Sequence, residues 1–373
     1  MDVMARANAL AAGGRDLVRM EVGQPGEGPA PSVAAAVAEA LRSAPLGYTE
    51  ALGLPSLRAG LAGLYRRRYG VEVDPRRIVV TTGSSGGFVL AFLAAFEAGE
   101  RIVLGAPGYP PYVSILEALG LEPVVVALDP ARGYRLTASE LKGAGPAAGL
   151  LVASPANPTG TVLSRETLEG LAREAEARGM TFVSDEIYHG LVYGAPAHSL
   201  LEFTQDCIVV SSFSKYQGLT GWRVGWLVVP ERLVRAVERL AQSLYISPPT
   251  VSQHAALAAL EPQAESAFDA RVAAYAASRA ALLEALPRAG FAEISPAEGA
   301  FYVYARIPED APDADEFARR LMEEAGVVAT PGFDFDRARG TRTMRFSYCG
   351  PPDRMAEGAR RLLAWRGKRS VAS

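Results

Sequence analysis

Lys215 is the residue of this 373-residue chain best placed for covalent chemistry. It stands in a short Ser/Gly-rich stretch with Ser212 and Ser214 before it and Arg223 after it. A lysine close to other positive charge is held partly deprotonated, and only the neutral amine attacks a carbonyl carbon. An exposed lysine on a turn fits the same local pattern. Asp185 ends the apolar run Thr181–Ser184, where a carboxylate is costly unless a cation faces it. A protonated ring nitrogen on a bound cofactor would be such a cation, and capping of the next turn is the competing use. Tyr188 could bring a phenol to the same ligand, and Asn157, just before Pro158, could aim its amide inward from a rigid turn. The stretch TGSSGG (82–87) opens a helix-like segment. Helix-start amides with small hydroxyls form an anion site, to which Ser84 and Ser85 would donate. The same residues read as a capped Gly/Ser turn. They also match the G-x-S-x-G nucleophile elbow, which would make Ser85 the nucleophile of a serine hydrolase.

These residues need a frame, and the flanking pattern supplies one. β-Branched runs stand near 78–82, 102–106, 123–127, 149–153, 181–185, 207–211 and 224–229. Helical periodicity fills most gaps, as at 86–97 and at 165–178, where Leu168, Leu171 and Ala175 share a face. Such alternation predicts a mostly parallel sheet covered on both sides, with ligands at the carboxyl ends of its strands. The connection between 211 and 224 is too short for a crossover helix with its turns, so the seventh strand is predicted to run against the other six. After about 230 the chain turns helical. A compact tail follows, with strands at 301–307 and 345–349 and a helix near 313–325.

Composition narrows the possibilities. With 49% hydrophobic and 21% charged residues the chain can bury a large core, which excludes general disorder. A net charge of −3 argues against nucleic-acid and membrane-surface partners. The run Arg66-Arg67-Arg68 reads as a solvated helix face. Two distant cysteines and three histidines offer neither a disulfide scaffold nor metal-ligand spacing, so no metal is expected. Apolar runs are interrupted well short of the ~18 residues of a membrane span. The start has no apolar core of a leader type, and a cytoplasmic protein is expected.

Five motifs in order carry a family resemblance: GQP (23–25), SPANPTG (154–160), SDEIY (184–188), SFSKYQGLTGWRVG (212–225) and RFSY (345–348). From Gly23 to about Gly350 the chain resembles the fold-type I, pyridoxal phosphate-dependent aminotransferases of class I/II, the aspartate aminotransferase-like group. The resemblance implies a three-layer α/β/α large domain (41–270) with a seven-stranded mixed sheet. It also implies a smaller α+β domain built from both termini, an N-terminal arm at 1–40 and the tail at 271–373. Lys215 would hold the cofactor as an imine and later shuttle a proton. Asp185 would face the ring nitrogen, Tyr188 and Asn157 the ring oxygen, and Tyr109 would stack on the ring. Ser84, Ser85, Ser212 and Arg223 would hold the phosphate, with Tyr48 reaching in from the second subunit of a homodimer. Arg345, with the backbone of Gly23, would grip the substrate α-carboxylate. Ala106-Pro107 and Asn157-Pro158 match positions that are cis in relatives. The implied reaction is ping-pong amino transfer between an L-amino acid and a 2-oxo acid. Carbon–sulfur β-lyases of the same shape are the nearest alternative. Relatives specialised for acidic substrates carry a second cation, for example in the helix after the phosphate loop. Residues 84–100 here contain no Lys or Arg, so dicarboxylate specificity is not expected.

Overall fold

The computed structural model describes residues 2–370. The last three positions of the expected tail domain, 371–373, therefore lie outside the described residues. A two-residue strand, β1 (Val18–Arg19), precedes the main sheet of β2 (Ile78–Thr81), β3 (Arg101–Ala106), β4 (Glu122–Ala127), β5 (Gly149–Ala153), β6 (Thr181–Asp185), β7 (Ile208–Ser212) and β8 (Gly225–Val228). Its order is β2-β8-β7-β6-β5-β3-β4. Strand β8 runs antiparallel to both neighbours, and every other pairing is parallel, so six strands point one way and one is reversed. The cause is the link between β7 and β8, which holds one short turn of 3-10 helix, Thr220–Trp222, and no crossover helix.

Burial follows the sequence pattern. Strands β2, β7 and β8 are buried at every position because helices cover both faces, whereas edge strand β4 is half open. The helix Arg165–Ala177 starts where the Ser164 side chain accepts from Thr167 N, and it buries Leu168, Leu171, Ala172 and Ala175 on one stripe. Truncating Leu171 to alanine there would cost about 2–5 kcal/mol. The helix Gly83–Ala95 buries Phe88, Leu90 and Phe92 against β7, β8 and the helix Glu231–Tyr245. Of the arginine run, Arg66 and Arg67 are exposed, while Arg68 lies over the Tyr216 ring at 5.1 Å.

Four further strands complete the fold: β9 (Tyr302–Arg306), β10 (Val327–Val328), β11 (Thr330–Pro331) and β12 (Thr343–Ser347). Strands β11, β12 and β9 form an antiparallel sheet, and β1 pairs in parallel with β10. The N-terminal residues thus join the C-terminal tail through β1, while the helix Pro31–Ser43 packs on the helix Thr250–Ala259. The long helix Pro262–Arg288 runs through position 270 and packs on the helix Pro352–Ser370. The segment read as one helix near 313–325 is an α-helix, Ala314–Arg320, that widens into a π turn at Leu321–Ala325. No helix among the described residues is long and apolar enough to cross a membrane.

Candidate active site

A cavity opens beyond the carboxyl ends of β3, β5, β6 and β7, where an open α/β sheet offers its ligand site. Gly23, Ser84, Tyr109, Asn157, Asp185, Tyr188, Lys215 and Arg345, all read from the sequence, line it. Tyr112, Ile187 and Tyr302 line it too and were not singled out. A mainly apolar cavity adjoins it beneath the cis-proline loops, sharing Tyr109, Tyr112 and Asn157 and lined by no charged residue. The peptides Ala106-Pro107 and Asn157-Pro158 are cis as expected, and so is Ser154-Pro155, which was not anticipated.

Lys215 is no exposed turn lysine. Its Nζ donates to Gly23 O at 2.8 Å. Burial, with Arg345 and Arg223 nearby, pushes its pKa down to about 8, against the opposing effects of Cys349 and Asp185. Asp185 is buried at the end of β6, where it caps the next turn with one oxygen and turns the other towards the cavity. Its Oδ1 accepts from Ile187 N at 3.0 Å, capping the turn, while Oδ2 accepts from the Tyr112 hydroxyl. Burial pushes the carboxyl up to about 6, and the Tyr112 and Ile187 hydrogen bonds and the Lys215 charge work against that rise.

Arg345 lies on β12, stacked between the rings of Tyr302 at 4.5 Å and Phe335 at 4.7 Å. Its Nη1 donates to Asn157 Oδ1 at 3.1 Å and its Nη2 to Glu21 O at 2.6 Å. Nε is buried with no partner. A buried guanidinium N–H left unpaired costs about 1–3 kcal/mol, and a carboxylate entering the cavity would relieve it. Tyr188 keeps its hydroxyl 3.0 Å from that of Tyr302. The Tyr109 ring packs edge-on against Tyr112, with centroids 5.2 Å apart.

The start of the helix Gly83–Ala95 makes a second, positive corner. Gly83 has φ +73°, and a Cβ there would stand 2.3 Å from Arg223 Nη2. Only glycine lets the guanidinium press against the helix N-terminus, and the pair makes a cradle that suits a phosphate. Arg223 is itself held at φ +52°, a conformation costing about 1 kcal/mol or more for a residue with a side chain. Buried Ser212 donates to Val224 O at 3.0 Å and shares a 2.8 Å hydrogen bond with Ser214, fixing the turn that leads to Lys215.

Four predicted residues are not part of the cavity lining: Ser212 and Arg223, which build the positive corner beside it, and Ser85 and Tyr48, which are exposed. Ser85 is exposed on the first turn of the helix. His189 is engaged by Tyr69 and Ser154, and His198 by Glu202, so neither serves Ser85 as the base of a hydrolase. Tyr48 is 82% exposed, on a segment tied down where Thr250 Oγ1 donates to Gly47 O at 2.6 Å. For Tyr112 the signal was present, three residues past Tyr109 at a helix start. For Tyr302, inside a run legible only as strand, there was none.

The chain matches the family described as aminotransferase class I and II over residues 15–362. It is 46% identical to the valine–pyruvate aminotransferase of Mycobacterium tuberculosis, over 94% of this chain and 91% of that protein. It is 34% identical to the aspartate aminotransferase of Streptomyces avermitilis, over 96% and 91% of the two chains. The crystal structure of an aminotransferase from Mycobacterium tuberculosis superposes with a TM-score of 0.96 at 45% identity, covering 99% of this chain and 96% of that one. The Thermus thermophilus aspartate aminotransferase solved with maleate superposes with a TM-score of 0.92 at 32% identity, covering 97% and 95%.

Proposed function

The chain belongs to the aminotransferase class I and II family and is an aminotransferase, and we propose that it works with pyridoxal 5′-phosphate in this cavity, as a homodimer. The observation that carries the reading is the meeting of three groups in one cavity: a lysine of lowered proton affinity, a buried carboxylate, and a buried arginine with an unpaired N–H.

When bound, the cofactor would supply an electron sink for charge developing at the substrate α-carbon. Lys215 would hold it covalently and, once freed by the incoming amine, take the α-proton on Nζ as general base; a pKa of about 8 suits that task. Asp185 would keep the ring nitrogen protonated. Tyr188 and Asn157 would donate to the ring oxygen, and Tyr109 would cover one ring face. The Gly83 corner, with Ser84, Ser85, Ser212 and Arg223, would take the phosphate. Tyr48, too exposed to serve its own cavity, would complete that corner in a second copy. Arg345, beside the Gly23 backbone, would hold the α-carboxylate so that the α-proton faces Lys215.

Among the lining residues only Lys215 and Arg345 carry positive charge, and both are assigned. A distal carboxylate would meet no cation from this subunit's own lining, so the substrates are read as neutral amino acids. The valine–pyruvate relative supports that reading. The division into an arm (1–40), a cofactor domain (41–270) and a tail domain (271–373) remains part of the proposal. So does a cytoplasmic setting, which two free, buried cysteines suit.

The test is to load the protein with pyridoxal phosphate, reduce it with borohydride and map the adduct, then add single amino acids and follow the absorption spectrum. The adduct is expected on the Lys215 peptide, with valine or alanine converting the spectrum and aspartate failing to. An unlabelled Lys215 peptide would refute the reading.

A further inference from the structure

Tyr302 is one of three lining residues with no part in the mechanism above, and it touches three groups that have one. It begins β9, is 2% exposed, and holds its hydroxyl 3.0 Å from that of Tyr188. The guanidinium of Arg345 lies over its ring at 4.5 Å, and the Tyr188 ring meets it edge-on with centroids 5.8 Å apart. A Cβ at position 23 would stand 1.8 Å from its oxygen, so Gly23 is what admits the hydroxyl. Packed on these sides, the ring cannot swing away.

We infer that Tyr302 is a positioning residue for Tyr188: its hydroxyl donates to the Tyr188 oxygen, which leaves the Tyr188 proton free to point at the cofactor's ring oxygen. The inference rests on the reading of Tyr188 as a donor to that oxygen. A phenol has one proton to give, so if Tyr188 spent it on Tyr302 it could not donate to the cofactor. The placement of the cation favours the same direction. Burial raises both phenols, and the Arg345 guanidinium, 4.5 Å over the Tyr302 ring, is the foremost group opposing the rise at Tyr302 and the least at Tyr188. A cation over its ring makes the Tyr302 O–H the better donor of the pair. Besides Arg345, the ionisable groups facing the pair are Tyr109 after β3 and Cys349 after β12, with Lys215 and Asp185 elsewhere in the cavity.

The experiment is a spectroscopic pH titration of the pyridoxal phosphate-loaded wild type, Tyr302→Phe, Tyr188→Phe and the double variant. A donor on the ring oxygen favours the unprotonated form of the lysine-bound cofactor. Losing the Tyr302 hydroxyl should therefore raise the midpoint of the visible band, by on the order of half to one pH unit. In the Tyr188→Phe background the same change should move it far less, because the route is gone. The phenylalanine ring keeps the stacking on Arg345, so packing loss alone would not shift the midpoint. An unmoved midpoint in Tyr302→Phe, or an equal shift in both backgrounds, overturns the inference while leaving the cofactor reading intact. A wild-type protein with no visible band overturns both.

Discussion

The Tyr112 hydroxyl donates to Oδ2 of Asp185 across 73 residues of sequence, from the helix after β3 to the end of β6. That bond opposes the burial that would otherwise protonate the carboxyl. Tyr112→Phe should therefore raise the Asp185 pKa above about 6 and weaken its hold on a protonated ring nitrogen. A hydrogen bond to a charged group contributes about 1.5–3 kcal/mol, so affinity for pyridoxal phosphate should fall roughly tenfold or more. The loss should deepen as pH drops below 7. Fluorescence titration of the cofactor-free variant across pH measures it, and a wild-type affinity at every pH would remove Tyr112 from this role.

Glu186, next in the chain, is also buried and accepts from Leu200 N at 2.9 Å, Ser199 Oγ at 3.1 Å and Ser184 Oγ at 3.2 Å. Burial pushes it up to about 8. A carboxyl raised on folding favours the folded state below its unfolded value of 4.5, and that contribution is lost as pH rises towards 8. Glu186→Gln keeps an acceptor and cannot ionise. Relative to wild type, the cofactor-free variant should gain thermal stability increasingly from pH 5 to 8 and level off above. Each kcal/mol would appear as roughly 2–4 °C in Tm. His189 acts at the other end. Its Nε2 donates to Ser154 O at 3.0 Å, and burial and Arg68 hold it down to about 3, so it costs stability as pH falls below 6.5 in either protein. Parallel Tm curves for the two proteins between pH 5 and 9 would contradict the assignment.

What was legible in the sequence depended on where each residue sits. Asp185 ends a strand, and Lys215 and Asn157 lie within four residues of the end of one, so the pattern that locates the strands also locates them at the ligand edge. The reversed β8 was legible because its link is too short for any other arrangement. Tyr302 and Phe335 were not legible. They reach the site only through the folding of the tail, where β9 pairs with β12 and sets Tyr304 opposite Arg345. Tyr188 and Tyr302 meet across 114 residues, a contact that no local spacing encodes. The pairing of β1 with β10 is of the same kind, since two residues carry no periodicity.

Gly83 ties the helix start to Arg223 by close approach, and alanine there should break the tie. The added Cβ would meet Nη2 at 2.3 Å and would have to accept φ +73°. Both effects displace the guanidinium or unwind the first turn, and either one spoils the anion corner. Gly83→Ala should therefore lower affinity for inorganic phosphate and for pyridoxal phosphate together, each by about tenfold or more for the loss of one charge-assisted contact. Pyridoxal without its phosphate should bind the variant and the wild type alike. Equal losses for pyridoxal and its phosphate would point to general misfolding instead of a lost anion site.

Arg345 offers the sharpest separation of binding from chemistry. Its guanidinium is stacked between Tyr302 and Phe335, and two of its nitrogens already donate to Asn157 and Glu21. The planar fork is therefore fixed before any substrate arrives, and the buried Nε has nothing else to bind. Arg345→Ala should raise KM by roughly 10- to 100-fold, the value of a charge-assisted pair of about 1.5–3 kcal/mol. Arg345→Lys should rescue little, because an ammonium can neither present the flat fork nor fill the space between two rings. Methylamine-type substrates lacking the carboxylate, which react slowly with wild type, should react equally with the variants. The variants should still form the lysine-bound absorption band, since Arg345 grips substrate and not cofactor. Steady-state kinetics with valine and with its decarboxylated analogue isobutylamine decide the point: a variant that loses both substrates equally has lost something other than a carboxylate grip.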